Sequence, residues 1–440
     1  MNPVQTRFSR RQMLFALGAG MTGTFLAACA PTAAPAPGAQ EAAGDESAPS
    51  TEPLELVFWY WADDPYQASL LTDSLARYTE KNPHVTFAAD LIQTINDTRT
   101  KLVTSFAAGT DMPDFSEGAD GWLPEFNRAG MLVPLDDRIQ EWEHYEDWLP
   151  AVKDLAKDAA TGTTFLMVNK VMVNYTYYRA DWLEEAGLEP PDTQEDFLEV
   201  ARALTDAPNR YGYGLRGGDN GGFSQQLAHF LKGNGVDFVK EDGTIDWDSP
   251  EAIETTDWYV SLYTEHKVTQ PSAPSDRFPE LFALLQGGTI ALLDHGIWSW
   301  KTQSDALGDA VSAMQKVRGS VRRWVSAGAE GPIMYSTSQH QDETWEVLKH
   351  MASPEEAFIF SVERGAGPTF KSLESEAIYS ENRFFKAALE SAPYWGRLPF
   401  AHENWPAMND RYAPEMQELL AGNITVEQFC QTMASVLRGG

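Results

Sequence analysis

LELVFWYWADDP (residues 54–65) decides the fold. A strand with one face in water alternates apolar and polar side chains, whereas a parallel strand covered on both faces reads as a near-continuous apolar run. From Leu56 to Trp61 every side chain is apolar or aromatic, so this segment is expected as a buried parallel strand. Phe58 and Trp59 read as core, and Tyr60 as core or site. Asp63, Asp64 and Pro65 then open a helix, with an acid for the cap and proline in the first turn. Its apolar stripe is Ala68, Leu71, Leu75 and Tyr78.

The same alternation continues outward. Val85, Phe87, Ala89 and Leu91 alternate as a second strand, and Ile95, Arg99, Leu102 and Phe106 fit a helix closed at Gly109. PDF (113–115) begins a third strand and GWLPEFNRAG (121–130) a short helix with a glycine stop. A second run of this kind starts at FLMVNK (165–170). It continues with a helix over 193–205, a strand over 211–218, a helix near 223–233 and a helix opened by Pro250. Asp242, Asp246 and Asp248 lack the spacing of a calcium loop and read as turn and cap. The fold class is α/β, with two lobes that each hold a mostly parallel sheet flanked by helices.

The chain of 440 residues carries a formal charge of −31, which excludes nucleic acid and anionic lipid as partners of the folded part. Its one basic run past residue 11 is RGSVRR (318–323). Residues 1–29 hold three arginines, no acid and an apolar stretch from Met13 to Ala28, too short for a membrane span and right for an export signal. Leu26-Ala27-Ala28-Cys29 resembles the lipobox of bacterial lipoproteins, which implies cleavage before Cys29 and lipid on its sulfur. Arg10-Arg11 resembles the twin-arginine export signal. Residues 30–53 are rich in Ala and Pro and read as a disordered tether. The chain is thus expected in the cell envelope, lipid-anchored on the extracytoplasmic side. Cys430 falls on one helical face with Val426, Phe429, Met433 and Leu437 and reads as a small buried hydrophobe.

In an open α/β sheet, ligands bind beyond the carboxyl ends of the strands. Trp61, Asp63 and Asp64 stand there, as do Gly118 and Asp120, Arg216, Asp219 and Asn220, and Trp298 and Trp300 after TIALLDHGIWSWK. Flat indoles, carboxylates, an amide and a guanidinium are the chemistry of a sugar site, because each buried hydroxyl needs a partner and C–H faces pack on rings. Trp405, in the helical C-terminal part, closes the cleft or packs it, and His295 reads as a satisfied polar neighbour rather than a contact. No HExxH, CxxC or GxSxG occurs, and GGDNGG lacks the Lys-Ser/Thr of a phosphate loop. No catalytic residue, metal or cofactor is expected.

An ordered set of segments adds to this: FAAGTDMPDF with FNRAGMLVPLDD, YTYYRADWLEEAGLEPPDTQEDF, LFALLQGGTIALLDHGIWSW and DETWEVLKHMASPEEAFIFSVERGAGPTFKSL. In this order, over about residues 54–440, the chain resembles the family 1 extracellular solute-binding proteins, carbohydrate-binding subunits of ABC importers. The resemblance implies a two-lobed periplasmic-binding-protein fold of class II type, joined by hinge segments. It places lobe 1 in residues 54–164 with about 316–366, and lobe 2 in about 165–315 with 367–440. It also implies ligand contacts from Trp61, Asp63, Asp64, Gly118, Asp120 and Trp122, and stacking by Trp298. Gly118 stands where maltose binders carry an aromatic, so the sugar stays unnamed. The implied partners are a carbohydrate, membrane permease subunits and the lipid at Cys29, with the protein a monomer. An extracytoplasmic carbohydrate-active enzyme and a binding protein for a non-sugar solute are the alternatives.

Overall fold

A computed structural model describes residues 52–62, 65–218 and 225–440. The expected signal and tether, with Cys29, lie outside the described residues, as do Asp63, Asp64, Asp219 and Asn220.

The apolar run is β1 (Leu54–Trp61), paired in parallel with β2 (Val85–Ile92) on one edge and with β3 (Phe115–Ala119) on the other. With both edges bonded and both faces covered, Phe58, Trp59, Tyr60 and Trp61 are all buried. Phe58 stacks on Phe115 at 4.7 Å and on Tyr60 at 5.2 Å. The Lys101 ammonium sits 3.8 Å over the Trp59 ring. β2 is the outer strand, so its alternation is covered only in part, and Leu91 remains 51% exposed. The helices beside these strands follow their sequence signals. Leu71 and Leu75 of Pro65–Lys81 are buried, and Ile95–Ala108 is capped by Thr94 and closed by Gly109 at φ 62°.

The remaining strands are β4 (Lys170–Arg179), β5 (Tyr211–Tyr213), β6 (Ile290–Gly296), β7 (Val311–Met314), β8 (Val325–Met334) and β9 (Trp395–Gly396). The sheet order is β2-β1-β3-β8-β4-β6-β5, with β7 on β4 and β9 on β8. Two strands serve two sets of neighbours. Lys170–Val173 of β4 pair with β8, whereas Asn174–Tyr178 pair with β6 and Thr176–Arg179 with β7. Likewise Ala327–Glu330 of β8 pair with β4, and Glu330–Met334 continue onto β3.

The mostly parallel pairing expected from the alternation holds for β1–β2, β1–β3 and β5–β6. β4 and β8 instead run antiparallel to β3, β6, β7 and each other. A parallel neighbour requires a crossover that returns the chain to the same end, and these two strands run on into the other half of the sheet instead. The strand expected over 211–218 stops at Tyr213. Beyond it the backbone donors are taken by side chains and a loop: Leu215 N–H by Gln270, Arg216 N–H by Gln226, Gly217 N–H by the Ala273 carbonyl.

Two apolar cores result. One gathers β1, β3, Phe126, Trp148, Phe360 and Phe370; the other gathers Phe197, Tyr213, Tyr259, Met416 and Phe429. Cys430 is buried in the second, as its helical face implied. Of the three acids read as turn and cap, Asp242 closes a turn on Thr244 N–H, while Asp248 pairs with Arg438 and Asp246 with Lys240; the helix cap is Ser249.

Phe58→Ala removes a ring with no solvent exposure from the middle of the first core, and should cost about 3–5 kcal/mol in urea unfolding. A loss below about 1 kcal/mol would show that β1 does not anchor this half.

Candidate functional site

At the end of β3 the chain turns through a short 3-10 segment, Asp120–Trp122, into the helix Leu123–Arg128. The turn brings Trp122 against the last residue of β1, with the Trp61 and Trp122 rings 5.2 Å apart. Gly118 packs inside this half: a Cβ there would meet Ile333 at 2.8 Å. Asp120 is buried between them and the crossing strand. Its Oδ1 accepts from Ala329 N–H of β8 at 3.1 Å. Its Oδ2 is buried with no hydrogen-bond partner among the described residues, and Arg397 Nε lies 3.9 Å away. Burial pushes the Asp120 carboxyl up to about 6 from the usual 3.8, against the opposing pull of Arg397. Arg397 is itself tied to this half, donating to the Lys157 carbonyl at 2.9 Å.

A second group forms where β6 ends. The Arg216 guanidinium lies 4.2 Å over the Phe278 ring, Phe278 lies 4.2 Å from the His295 ring, and His295 lies 5.0 Å from Trp298. The indole of Trp298 rests on the backbone of Gly296, where a Cβ would come within 1.8 Å of it. That residue must be glycine for Trp298 to lie this way. Below the group, Asp294 and Lys316 form a buried ion pair at 2.6 Å, and Tyr213 donates to Asp294 at 3.0 Å. Burial, the largest single influence, would raise the Asp294 carboxyl; the Lys316 charge, His229 and hydrogen bonds from Lys316 and Thr176 together outweigh it and hold the group below its usual value.

The structure therefore gathers Trp61, Gly118, Asp120 and Trp122 in one half, and Arg216 with Trp298 in the other. Trp300 packs elsewhere, with its ring 5.2 Å from Phe385 and 6.1 Å from Phe384 and its edge against Gly365. Trp405 is buried, about 6.0 Å from Phe238 and from Phe400. Phe400 in turn covers Gly121, which connects this C-terminal stretch to the Asp120 turn. Sequence reasoning did not pick out Arg397 or Phe278 and set His295 aside as a satisfied neighbour. Arg397 arrives from the far end of the chain, which no local pattern signals. His295 and Phe278 carry a signal in retrospect: both stand within a few residues of an apolar element's end, beside Trp298 and before Pro279.

Residues 63–358 match the family model for bacterial extracellular solute-binding proteins. The chain belongs to that family. A lactose-binding protein of Rhizobium radiobacter is 24% identical over 351 residues, covering 75% of this chain and 79% of its own length. Among solved structures, the maltose-bound MalE3 of T. maritima superposes with a TM-score of 0.77 at 20% identity, covering 88% of this chain and 99% of that one. A solute-binding protein from Thermotoga lettingae bound with α-D-tagatose gives 0.75 at 20% identity, with the same coverage. The solute-binding fold of these proteins is two-lobed, and the resemblance carried by the ordered segments holds.

The raised Asp120 carboxyl fixes a sign. The folded chain holds this proton more tightly than the unfolded one, so its stabilising contribution is full below about pH 4 and is lost as pH rises through 6. Asp120→Asn removes that loss. Urea unfolding at pH 7.5 should show the variant more stable than the parent by on the order of 2–3 kcal/mol, and the gap should close by pH 4. A variant equally or less stable at pH 7.5 contradicts the burial of an ionised group at this position.

Proposed function

We propose that this solute-binding protein captures a carbohydrate, whether oligosaccharide, monosaccharide or polyol, between its two lobes and delivers it to a membrane permease. The reading is supported by the two groups at strand ends, one beside β8 in the first half and one at the end of β6, which pairs with β4. One half holds the buried Trp61–Trp122 indole pair and a carboxylate oxygen with no hydrogen bond among the described residues; the other holds an indole seated on glycine and linked through His295 and Phe278 to the Arg216 guanidinium. A sugar needs both kinds of surface, since its C–H faces lie on rings and its hydroxyls must be answered once they leave water. The relatives named above for lactose, maltose and tagatose agree with this class of solute.

Trp61, Asp63, Asp64, Gly118, Asp120 and Trp122 are the proposed contacts of lobe 1. Arg216, Asp219, Asn220 and Trp298 are those of lobe 2, with Trp300 and Trp405 supporting the walls. Lobe 1 is taken as residues 54–164 with about 316–366, and lobe 2 as about 165–315 with 367–440, from which Phe370 and Arg397 pack back onto the first half. Closure follows because only the closed form satisfies both sets of contacts, and a few backbone dihedrals in β4 and β8 can absorb it. No bond of the sugar is made or broken. Cys29 carries the lipid anchor after export by the twin-arginine or the general route, and residues 30–53 hold the monomeric folded part off a membrane whose anionic headgroups repel it.

A thermal-shift screen against sugars and polyols tests this. A true ligand at a hundred times its dissociation constant should stabilise the protein by about 2.7 kcal/mol, and Trp298→Ala should lose that gain while remaining folded. No stabilisation by any sugar, or release of shortened sugars from a glycan, would contradict the reading.

A further inference from the structure

His295 is 5% exposed and sits at the end of β6, opposite Tyr175 of β4. Three aromatic rings surround its imidazole edge-on: Phe278 at 4.2 Å, Phe282 at 4.6 Å and Trp298 at 5.0 Å. The two phenyl rings carry no hydrogen-bonding group, and the Trp298 indole N–H does not bond Nδ1. Its Nδ1 is buried and has no hydrogen-bond partner among the described residues. A buried polar atom left this way costs stability, and a lasting cost at one position calls for a reason.

We propose that His295 is a specificity-determining residue of the carbohydrate site, whose Nδ1 hydrogen-bonds a sugar hydroxyl next to the C–H face lying on Trp298. The inference rests on the carbohydrate reading given above and adds the chemistry of one subsite. Burial first, and the neighbouring Arg216 charge second, hold the imidazole down to about 3, against a smaller opposing pull from the Gly296 backbone. The ring is therefore neutral throughout the physiological range. A neutral imidazole nitrogen either donates or accepts, depending on tautomer, and a hydroxyl can answer either state. An ammonium only donates and is repelled by Arg216, so the subsite selects a hydroxyl over a cation. With the rings as they stand Nδ1 is covered; Phe278 and Phe282, in the helix Phe278–Gln286, are only half-buried, and a sugar would reach Nδ1 by displacing one of them.

Calorimetric titration of the full-length protein with a panel including lactose, maltose, α-D-tagatose and ribitol gives the reference affinity, and Trp298→Ala the control for the site. His295→Phe fills the cage and removes the nitrogen. It should melt at the same temperature as the parent or higher, yet bind the selected sugar at least tenfold more weakly. His295→Gln restores a polar atom and should recover most of that loss. A purely structural histidine would instead lower the melting temperature in both variants and leave the affinity of the folded fraction unchanged, which overturns the proposal. If the parent binds a sugar, Trp298→Ala does not, and His295→Phe binds as the parent does, this inference alone fails. If the parent binds no member of the panel, the carbohydrate reading fails and takes the inference with it. Should the variants not fold, the imidazole 15N resonances of the parent decide: sugar at saturation must shift the Nδ1 resonance of His295, and an unmoved resonance overturns the assignment.

Discussion

β4 and β8 each belong to two sets of neighbours, and the placement of nearly every other element follows from that sharing. A strand's backbone groups must be bonded wherever they are buried, so a strand that changes partners midway has to be met by a second group of strands at the point of change. β4 makes the change between Val173 and Asn174, and β8 makes it near Glu330. Side chains reinforce the crossing. The buried Glu117–Lys170 ion pair ties β3 to β4, and the Lys170 ammonium lies 4.8 Å over Phe360. A third connection comes from the C-terminal stretch, where β9 pairs with Val325 and Ser326 of β8 before Arg397 reaches the Asp120 turn.

The same sharing places the two candidate groups. Asp120 accepts from the backbone of β8 itself, and Trp298 hangs from the strand that pairs with the second half of β4. Each group carries a buried polar atom with no hydrogen bond among the described residues: Oδ2 of Asp120 in one and Nδ1 of His295 in the other. Both sit in low-polarity surroundings that shift them toward neutrality, the acid upward and the base downward. Binding sites commonly hold such unsatisfied groups at a cost in stability. A solute rich in hydroxyls, proposed here as the ligand, would answer both.

The fold was legible where it depends on local pattern. The continuous run at Leu56–Trp61 marked a strand covered on both faces, Gly109 marked a helix end, and the stripe through Phe429, Cys430 and Met433 marked a buried helix face; the structure has all three. What was not legible depends on distant partners. The antiparallel course of β4 and β8 follows from where the chain returns, and Gly214–Gly218 left the strand because Gln226 and Gln270 supply its bonds. Within the candidate site, the resemblance gave Trp61 and Trp122 as contacts from two successive loops; the structure has the two rings buried and 5.2 Å apart. Arg397 escaped notice because it meets Asp120 only through the folded C-terminal stretch. His295 was set aside because buried histidines are ordinarily satisfied, and this one is enclosed by carbon.

The central claim is that two halves sharing β4 and β8 hold one unaltered sugar between them. Small-angle X-ray scattering of the protein with and without a saturating sugar from the thermal screen tests it most directly. A smaller radius of gyration in the bound state, with the sugar recovered intact, is the predicted result. An unchanged radius at full occupancy, or a chemically altered sugar, would contradict it.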